Sequence, residues 1–239
     1  MNTIKIDKYF KGMVAHRGLS GIETENTLLA FVAAANRSYY GIECDIHPTK
    51  DKKYVVSHDD SLYRLGLLDI YIPSFKYDEL LKFSLIDKKT GSLSEKIVLP
   101  TLEEYLVICN TYDKVAFIEL KETLSIDDID NVMKIIAKNI RLDRVVIISF
   151  EQRYLSHIRK NNPDITLLLL ARKYTESIYD FCVKHHIGLD VYYDQIDEQL
   201  VENYHLVGLK VAVWTVDDKV VCERLIKKGV DFITTNILE

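Results

Sequence analysis

Little in this sequence is long, repetitive or uniformly charged, and each absence removes a class of function. No apolar run approaches the ~20 residues that a membrane-crossing helix needs. The longest, residues 165–171, suits a buried strand. The opening Met1-Asn2-Thr3-Ile4-Lys5-Ile6 is charged and has no apolar segment of the secretory kind, nor is it a transit peptide. A cytoplasmic protein without stable membrane insertion is therefore expected. Cysteine is scarce. Cys44, Cys109, Cys182 and Cys222 are widely spaced and form no C-x-x-C, which reads as reduced core thiols rather than a disulfide framework. Basic runs are missing too. The formal net charge is −5 and no RNA-binding aromatic motif occurs, so nucleic acid is not an expected partner.

What is present is a steady alternation. The chain has 239 residues, 48% of them hydrophobic, enough for one large core. Short apolar β-rich runs end near His16, Asp45, Glu119, Ser149, Ala171, Tyr192, Trp214 and Thr235. Amphipathic runs separate them, with helices predicted from Leu28 onward and over 126–139, 175–185, 198–206 and 217–228. Thr101 with Glu104 reads as a capping box, and Gly229 as a helix stop. Eight near-continuous apolar strands alternating with helices predict a parallel (β/α)8 TIM barrel, a single domain over residues 1–239. One stretch breaks the rhythm. Residues 60–98, rich in Tyr, Phe, Lys and Asp, read as an insertion after the second strand and its hairpin arm.

That arm is the informative segment. A strand ends at Glu43-Cys44-Asp45, the chain turns near Asp51-Lys52, and Tyr54-Val55-Val56-Ser57 returns to His58. Strand alternation puts Glu43 and Asp45 on one side. Folded back, the arm brings His58 level with them at the barrel mouth. Functional groups of such barrels sit at strand C-termini, and the polar residues that interrupt the apolar runs lie there: His16, Arg17, Glu43, Asp45, Glu119, Lys121 and Trp214. Any one acid would be an ordinary solvated strand end. Three converging acids repel unless a cation lies between them, and an all-oxygen set suits Mg²⁺ or Ca²⁺. His16 and His58 are candidates for general acid and base. Arg17 and Lys121 are candidates for binding phosphate, and Trp214 for walling a pocket. His47 is expected to be peripheral; His157, His185, His186 and His205 are read as packing or surface residues.

The ordered series Ala15-His16-Arg17-Gly18, Glu25-Asn26-Thr27, Glu43-x-Asp45, Thr49-Lys50-Asp51, His58-Asp59, Glu119-x-Lys121, Ser149-Phe150, Val213-Trp214-Thr215-Val216 and the closing Gly229-Val230-Asp231-Phe232-Ile233-Thr234-Thr235-Asn236 resembles the glycerophosphodiester phosphodiesterase family. The resemblance implies a divalent metal on Glu43, Asp45 and Glu119, and catalysis by His16 and His58. It also implies hydrolysis of a glycerophosphodiester to glycerol 3-phosphate and an alcohol through a cyclic phosphate, with Arg17, Lys121 and Trp214 around the substrate. The sequence leans towards His58 as base and His16 as acid. Glu25 and Asn26 are expected to orient Arg17 or His16. Two departures fall in loops: Thr24 stands where the family has Pro, and Lys52 where it has Gly. Two alternatives stand beside this reading. One is a lysophospholipase-D-like enzyme with an apolar groove of Leu62, Leu67, Leu68, Tyr71, Ile72, Phe75 and Phe83. The other is a catalytically silent binding barrel.

Overall fold

The structure, a computed structural model, describes residues 2–6 and 9–239. It begins with β1 (Met13–Ala15), α1 (Leu28–Ala35), β2 (Gly41–Pro48) and β3 (Tyr54–Val56). A run of small elements follows: α2 (Tyr63–Gly66), α3 (Tyr77–Leu80), β4 (Leu85–Asp87) and β5 (Ser92–Ser94). Regular alternation resumes with α4 (Leu102–Thr111), β6 (Val115–Leu120), α5 (Ile126–Asn139), β7 (Val145–Ser149), α6 (Gln152–Asn161) and β8 (Thr166–Ala171). It ends with α7 (Glu176–His185), β9 (Gly188–Tyr192), α8 (Glu198–Leu206), β10 (Val211–Trp214), α9 (Lys219–Lys227) and β11 (Phe232–Thr235).

Eight of these strands close a parallel barrel in the order β1, β2, β6, β7, β8, β9, β10, β11 and back to β1. The eight are those read from the apolar runs. Two rows of residues explain why they close. The inward row, including Val14, Phe117, Val146, Ile148, Leu168, Leu170 and Ala212, fills the barrel. The outward row, including Ile42, Cys44, Ile118, Ile147, Leu169 and Val213, packs against helix residues such as Phe31, Tyr105, Ile129 and Leu155. At the N-terminal end of the strands, Tyr40 stacks on Phe232 (5.5 Å) and Phe117 meets Phe232 edge-on (5.3 Å). Gly41 makes room for this cluster, because a Cβ there would lie 2.6 Å from the Phe117 ring. All four cysteines are free and buried.

The arm forms as read, although β2 runs on to Pro48. Its second limb, β3, pairs antiparallel to it, Ile46 opposite Val56 and Pro48 opposite Tyr54. Lys52 occupies the turn with φ +61°, a left-handed conformation that favours glycine. Its side chain ties the turn to the barrel wall, Nζ lying 3.0 Å from Asp128 Oδ1. Asp128 is itself buried as the third residue of α5, in a capping box with Ser125.

The stretch between β3 and α4 has a core of its own. Leu62, Leu80, Leu85, Ile97, Leu99 and Ile72 pack on Val55 of the arm, with Phe75 and Phe83 against them. Four of the seven apolar side chains expected to line an acyl groove (Leu62, Ile72, Phe75 and Phe83) are therefore used in packing. Leu67, Leu68 and Tyr71 are exposed. Among the described residues, no helix is long and apolar enough to cross a membrane.

Candidate active site

The mouth of the barrel is assembled from several places in the chain. Directly after β1, Arg17 and Gly18 both adopt positive φ (+54° and +73°). Gly18 is required there twice over: a Cβ would meet the Ala30 backbone at 2.6 Å. This sharp turn points the Arg17 backbone N–H at Glu43 Oε2 (2.7 Å). The Glu25-Asn26-Thr27 segment packs beside it. Glu25 Oε1 accepts from Arg17 Nη1 (2.8 Å), as expected for an orienting residue. Asn26 does something else, donating from Nδ2 to Asp45 Oδ2 (2.9 Å). Thr27 caps α1 through Ala30 N–H.

Glu43 and Asp45 on β2 and Glu119 on β6 meet because Asp45 and Glu119 are register partners. One carboxylate oxygen from each lies within 4.8 Å of the other two. Glu43 and Asp45 are only 2% and 1% exposed. Lys121 bridges the group, with Nζ 2.8 Å from Glu119 Oε1 and 3.1 Å from Asp45 Oδ1. The charges divide unevenly. Burial opposes ionisation of Asp45, but Lys121 and then Arg17 hold it below the usual carboxylate range. Burial, and then Asp45, push Glu119 up to about 8 and Glu43 well above its ordinary value. Asp45 Oδ1 has the Lys121 ion pair but no well-directed hydrogen bond. Three clustered carboxylates, two buried and one partly so, that disfavour one another's ionisation fit a hard divalent cation, which would offset their charge together.

The two histidines approach from different elements and have different partners. His16 follows β1, and its Nδ1 lies 2.8 Å from Asn236 Oδ1. Asn236 Nδ2 donates to Asp217 Oδ2 (2.6 Å) and Ser20 Oγ donates to Asn236 Oδ1 (2.7 Å), so Oδ1 is the acceptor. The proton is thus on Nδ1, leaving the lone pair on Nε2. Burial and then Arg17 lower His16 to about 4. His58 comes back on the arm, with Ser57 N–H bound to the Asp45 carbonyl (3.0 Å). Its Nδ1 is 2.7 Å from Asp59 Oδ1. Burial lowers its pKa; the Asp45 carboxylate opposes that, Arg17 and Lys121 add to it, and the hydrogen bond to Asp59 opposes it, leaving the pKa below the ordinary histidine value. Arg64 Nε fixes the other Asp59 oxygen (2.6 Å), and its two terminal nitrogens clamp Glu25 (2.8 Å each).

These groups open onto one cavity of about 550 Å³, walled also by Phe150, Asp190 and Trp214. Trp214 is half-buried, edge-on to Phe150 (6.0 Å) and Tyr192 (5.8 Å), and its Nε1 donates to the Asp190 carbonyl (3.3 Å). Seven of the eight residues singled out from sequence (His16, Arg17, Glu43, His58, Glu119, Lys121 and Trp214) line this cavity, and the eighth, Asp45, is buried in the acid cluster with Glu43 and Glu119. Arg17 and Lys121 also make the ion pairs that would be their ordinary role. Four residues were missed. His47 is not peripheral: it is buried, lines the cavity and approaches the His58 carbonyl with Nε2 (3.2 Å). Asn236, Arg64 and Asp190 had only faint signals, the first as the end of the closing motif and the last as an acid inside an apolar strand.

A model of the glycerophosphoryl diester phosphodiesterase family matches residues 16–239. The chain belongs to this family. A glycerophosphodiester phosphodiesterase of Caldanaerobacter subterraneus subsp. tengcongensis is 31% identical over 227 residues, covering 94% of this chain and 93% of that one. Among solved structures, a glycerophosphodiester phosphodiesterase from Parabacteroides distasonis is similar at TM-score 0.79 and 26% identity, with 99% and 94% of the two chains covered. A phosphodiesterase from Oleispira antarctica, solved with the product sn-glycerol-3-phosphate, shares the fold at TM-score 0.87 and 23% identity, with 97% and 95% covered. By family the chain is a glycerophosphodiester phosphodiesterase, a phosphoric diester hydrolase.

Proposed function

We propose that this enzyme converts glycerophosphodiesters to glycerol 3-phosphate and an alcohol, with one divalent cation, Mg²⁺ or Ca²⁺, on Glu43, Asp45 and Glu119. His16 and His58 carry the protons in this reading. The observation that carries it is the pair of histidines lining the cavity of the acid cluster, one held by an amide and the other by a carboxylate. The bound cation would polarise the phosphate oxygens as a Lewis acid. Arg17 and Lys121 offset charge that develops on phosphorus, and Trp214 walls the substrate.

The difference in partners supports an order of roles opposite to the one the sequence leaned towards. His16, with Nε2 unprotonated, takes the proton of the glycerol 2-hydroxyl as it attacks phosphorus. His58, whose imidazolium form is stabilised by Asp59, protonates the leaving oxygen. In the second step the roles exchange and water opens the cyclic phosphate. Four free, buried thiols are in keeping with a reducing, cytoplasmic setting.

The test is turnover of glycerophosphocholine, read as glycerol 3-phosphate released, before and after chelation and after returning Mg²⁺ or Ca²⁺. His16→Ala and His58→Ala should each lose ~10²–10⁴-fold in kcat while still binding metal. A substrate with a good leaving group, which needs no protonation, should partly rescue His58→Ala and not His16→Ala. Near-full activity of either variant on every glycerophosphodiester tried would overturn the scheme.

A further inference from the structure

Asp190 is among the cavity groups that this mechanism leaves unused. Asp190 lies in the middle of β9, 2% exposed, and its Oδ1 has no hydrogen-bond partner. A buried carboxyl oxygen without a partner forfeits the hydrogen bonds it made in water. A folded core would replace such a residue with an apolar one at no loss. Asp190 instead lines the cavity that holds the acid cluster.

Its place in the barrel says what reaches it. β9 stands four strands round from β2 in the closed order, so Asp190 faces the Glu43 and Asp45 wall from the opposite side. It pairs with Ala212, while Trp214 pairs with Tyr192, so Asp190 lies one pleat deeper than the Trp214 ring. The open side of the cavity, with exposed Phe150 and Arg172, is above that ring. A substrate whose variable alcohol lies towards this opening turns its small, constant glycerol end inward, towards Asp190.

We propose that Asp190 is a specificity-determining residue, hydrogen-bonded to the terminal hydroxyl of the glycerol moiety while the 2-hydroxyl is presented to His16. This deepens the phosphodiesterase reading and rests on it. Burial, and then Glu119, push the Asp190 carboxyl up to about 8, so that near neutral pH it offers a donor as well as acceptors. An ester of propane-1,2-diol keeps the attacking hydroxyl but lacks the terminal one. An acylated terminal oxygen likewise has no proton to give and adds bulk at a closed wall.

The experiment compares glycerophosphocholine with the phosphocholine ester of propane-1,2-diol, for wild type, Asp190→Asn and Asp190→Leu. Wild type should favour the glycerol ester by ~10–100-fold in kcat/KM, since a polar site left unpaired penalises the truncated substrate. Asp190→Leu should lose that preference through the glycerol ester alone, with the diol ester within threefold of wild type. Asp190→Asn, which keeps a donor and an acceptor, should retain part of it. Calorimetric binding of glycerol 3-phosphate against propane-1,2-diol 1-phosphate should show the same pattern without turnover. Equal losses on both esters in Asp190→Leu, or no preference in wild type, would overturn the assignment of Asp190 alone. Hydrolysis of neither ester by wild type would sink the functional reading and this inference with it.

Discussion

The buried acids at the two ends of this barrel are treated in opposite ways. Beside the loop that leads into β2, Glu239 is saturated with donors: Thr3 Oγ1 (2.5 Å), Ser38 N–H and Oγ (2.8 Å each), and Lys5 at 2.8 Å. Burial opposes its ionisation, yet these partners hold it down to about 2. At the mouth, Glu43, Glu119 and Asp190 have too few donors and all lie above the usual range. Arg17 Nε, Asn26 Oδ1, Asp45 Oδ1 and Asp190 Oδ1 are buried there without hydrogen bonds. The same carboxyl chemistry serves stability at one end and is left incomplete at the other. Incomplete satisfaction marks where a ligand would finish the network.

Neutralising one acid at each end sharpens this contrast. Glu119→Gln, which would remove a ligand of the proposed cation, should cost more activity than the ~10²-fold that loss of an outer metal-ligand partner typically costs. Yet the metal-free variant should melt higher than wild type. The sign follows from the raised pKa: above the unfolded value the native carboxyl still holds a proton that the unfolded chain has lost, so stability falls as pH rises towards about 8. The gain from Glu119→Gln should therefore grow between pH 5 and 8 in chelator-treated samples, and a lower melting temperature would break the comparison.

Glu239→Gln should do the reverse. kcat is expected within about twofold of wild type, because Glu239 lies remote from the chemistry, while the melting temperature drops as a buried hydrogen-bond and ion-pair network is broken. Here the folded pKa is depressed, so the stabilisation is complete above about 4.5 and fades as pH falls towards 2. Melting curves of the two proteins should converge over that acid window. Divergence there would mean that packing, not charge, holds this end.

The smallest effect belongs to the turn of the arm. Lys52→Gly relieves a left-handed conformation worth about 1 kcal/mol but frees the chain when unfolded and removes the pair with Asp128. Since Lys52 is largely exposed, that pair contributes about 0–1 kcal/mol. Stability should change by less than about 0.5 kcal/mol in urea titrations, with turnover unaffected. A clear loss of turnover would show that the arm's position depends on this tether.

Much of this was legible without coordinates. Strand alternation is local, so the spacing of Glu43 and Asp45 already put both on one side, and Thr101 with Glu104 already marked the start of α4. The length and turn of the arm likewise carried His58 back to Asp45. Asn236, Arg64, His47 and Asp190 were not legible in the same way. Sequence separation hides such partners: His16 and Asn236 are 220 residues apart, and Arg64 reaches Glu25 from the stretch beyond the arm.

By itself, then, the sequence determined everything set by period and proximity. That covers eight strands, their inward and outward faces, the hairpin, and the residue types that gather at the strand ends. Barrel closure decided the rest. Only when β11 returns to β1 does an amide set the tautomer of His16, and only when β9 faces β2 across the interior does a strand acid become part of a cavity wall. Hydrogen-bond satisfaction is a property of the neighbours a side chain acquires in the closed fold, and no local pattern encodes it.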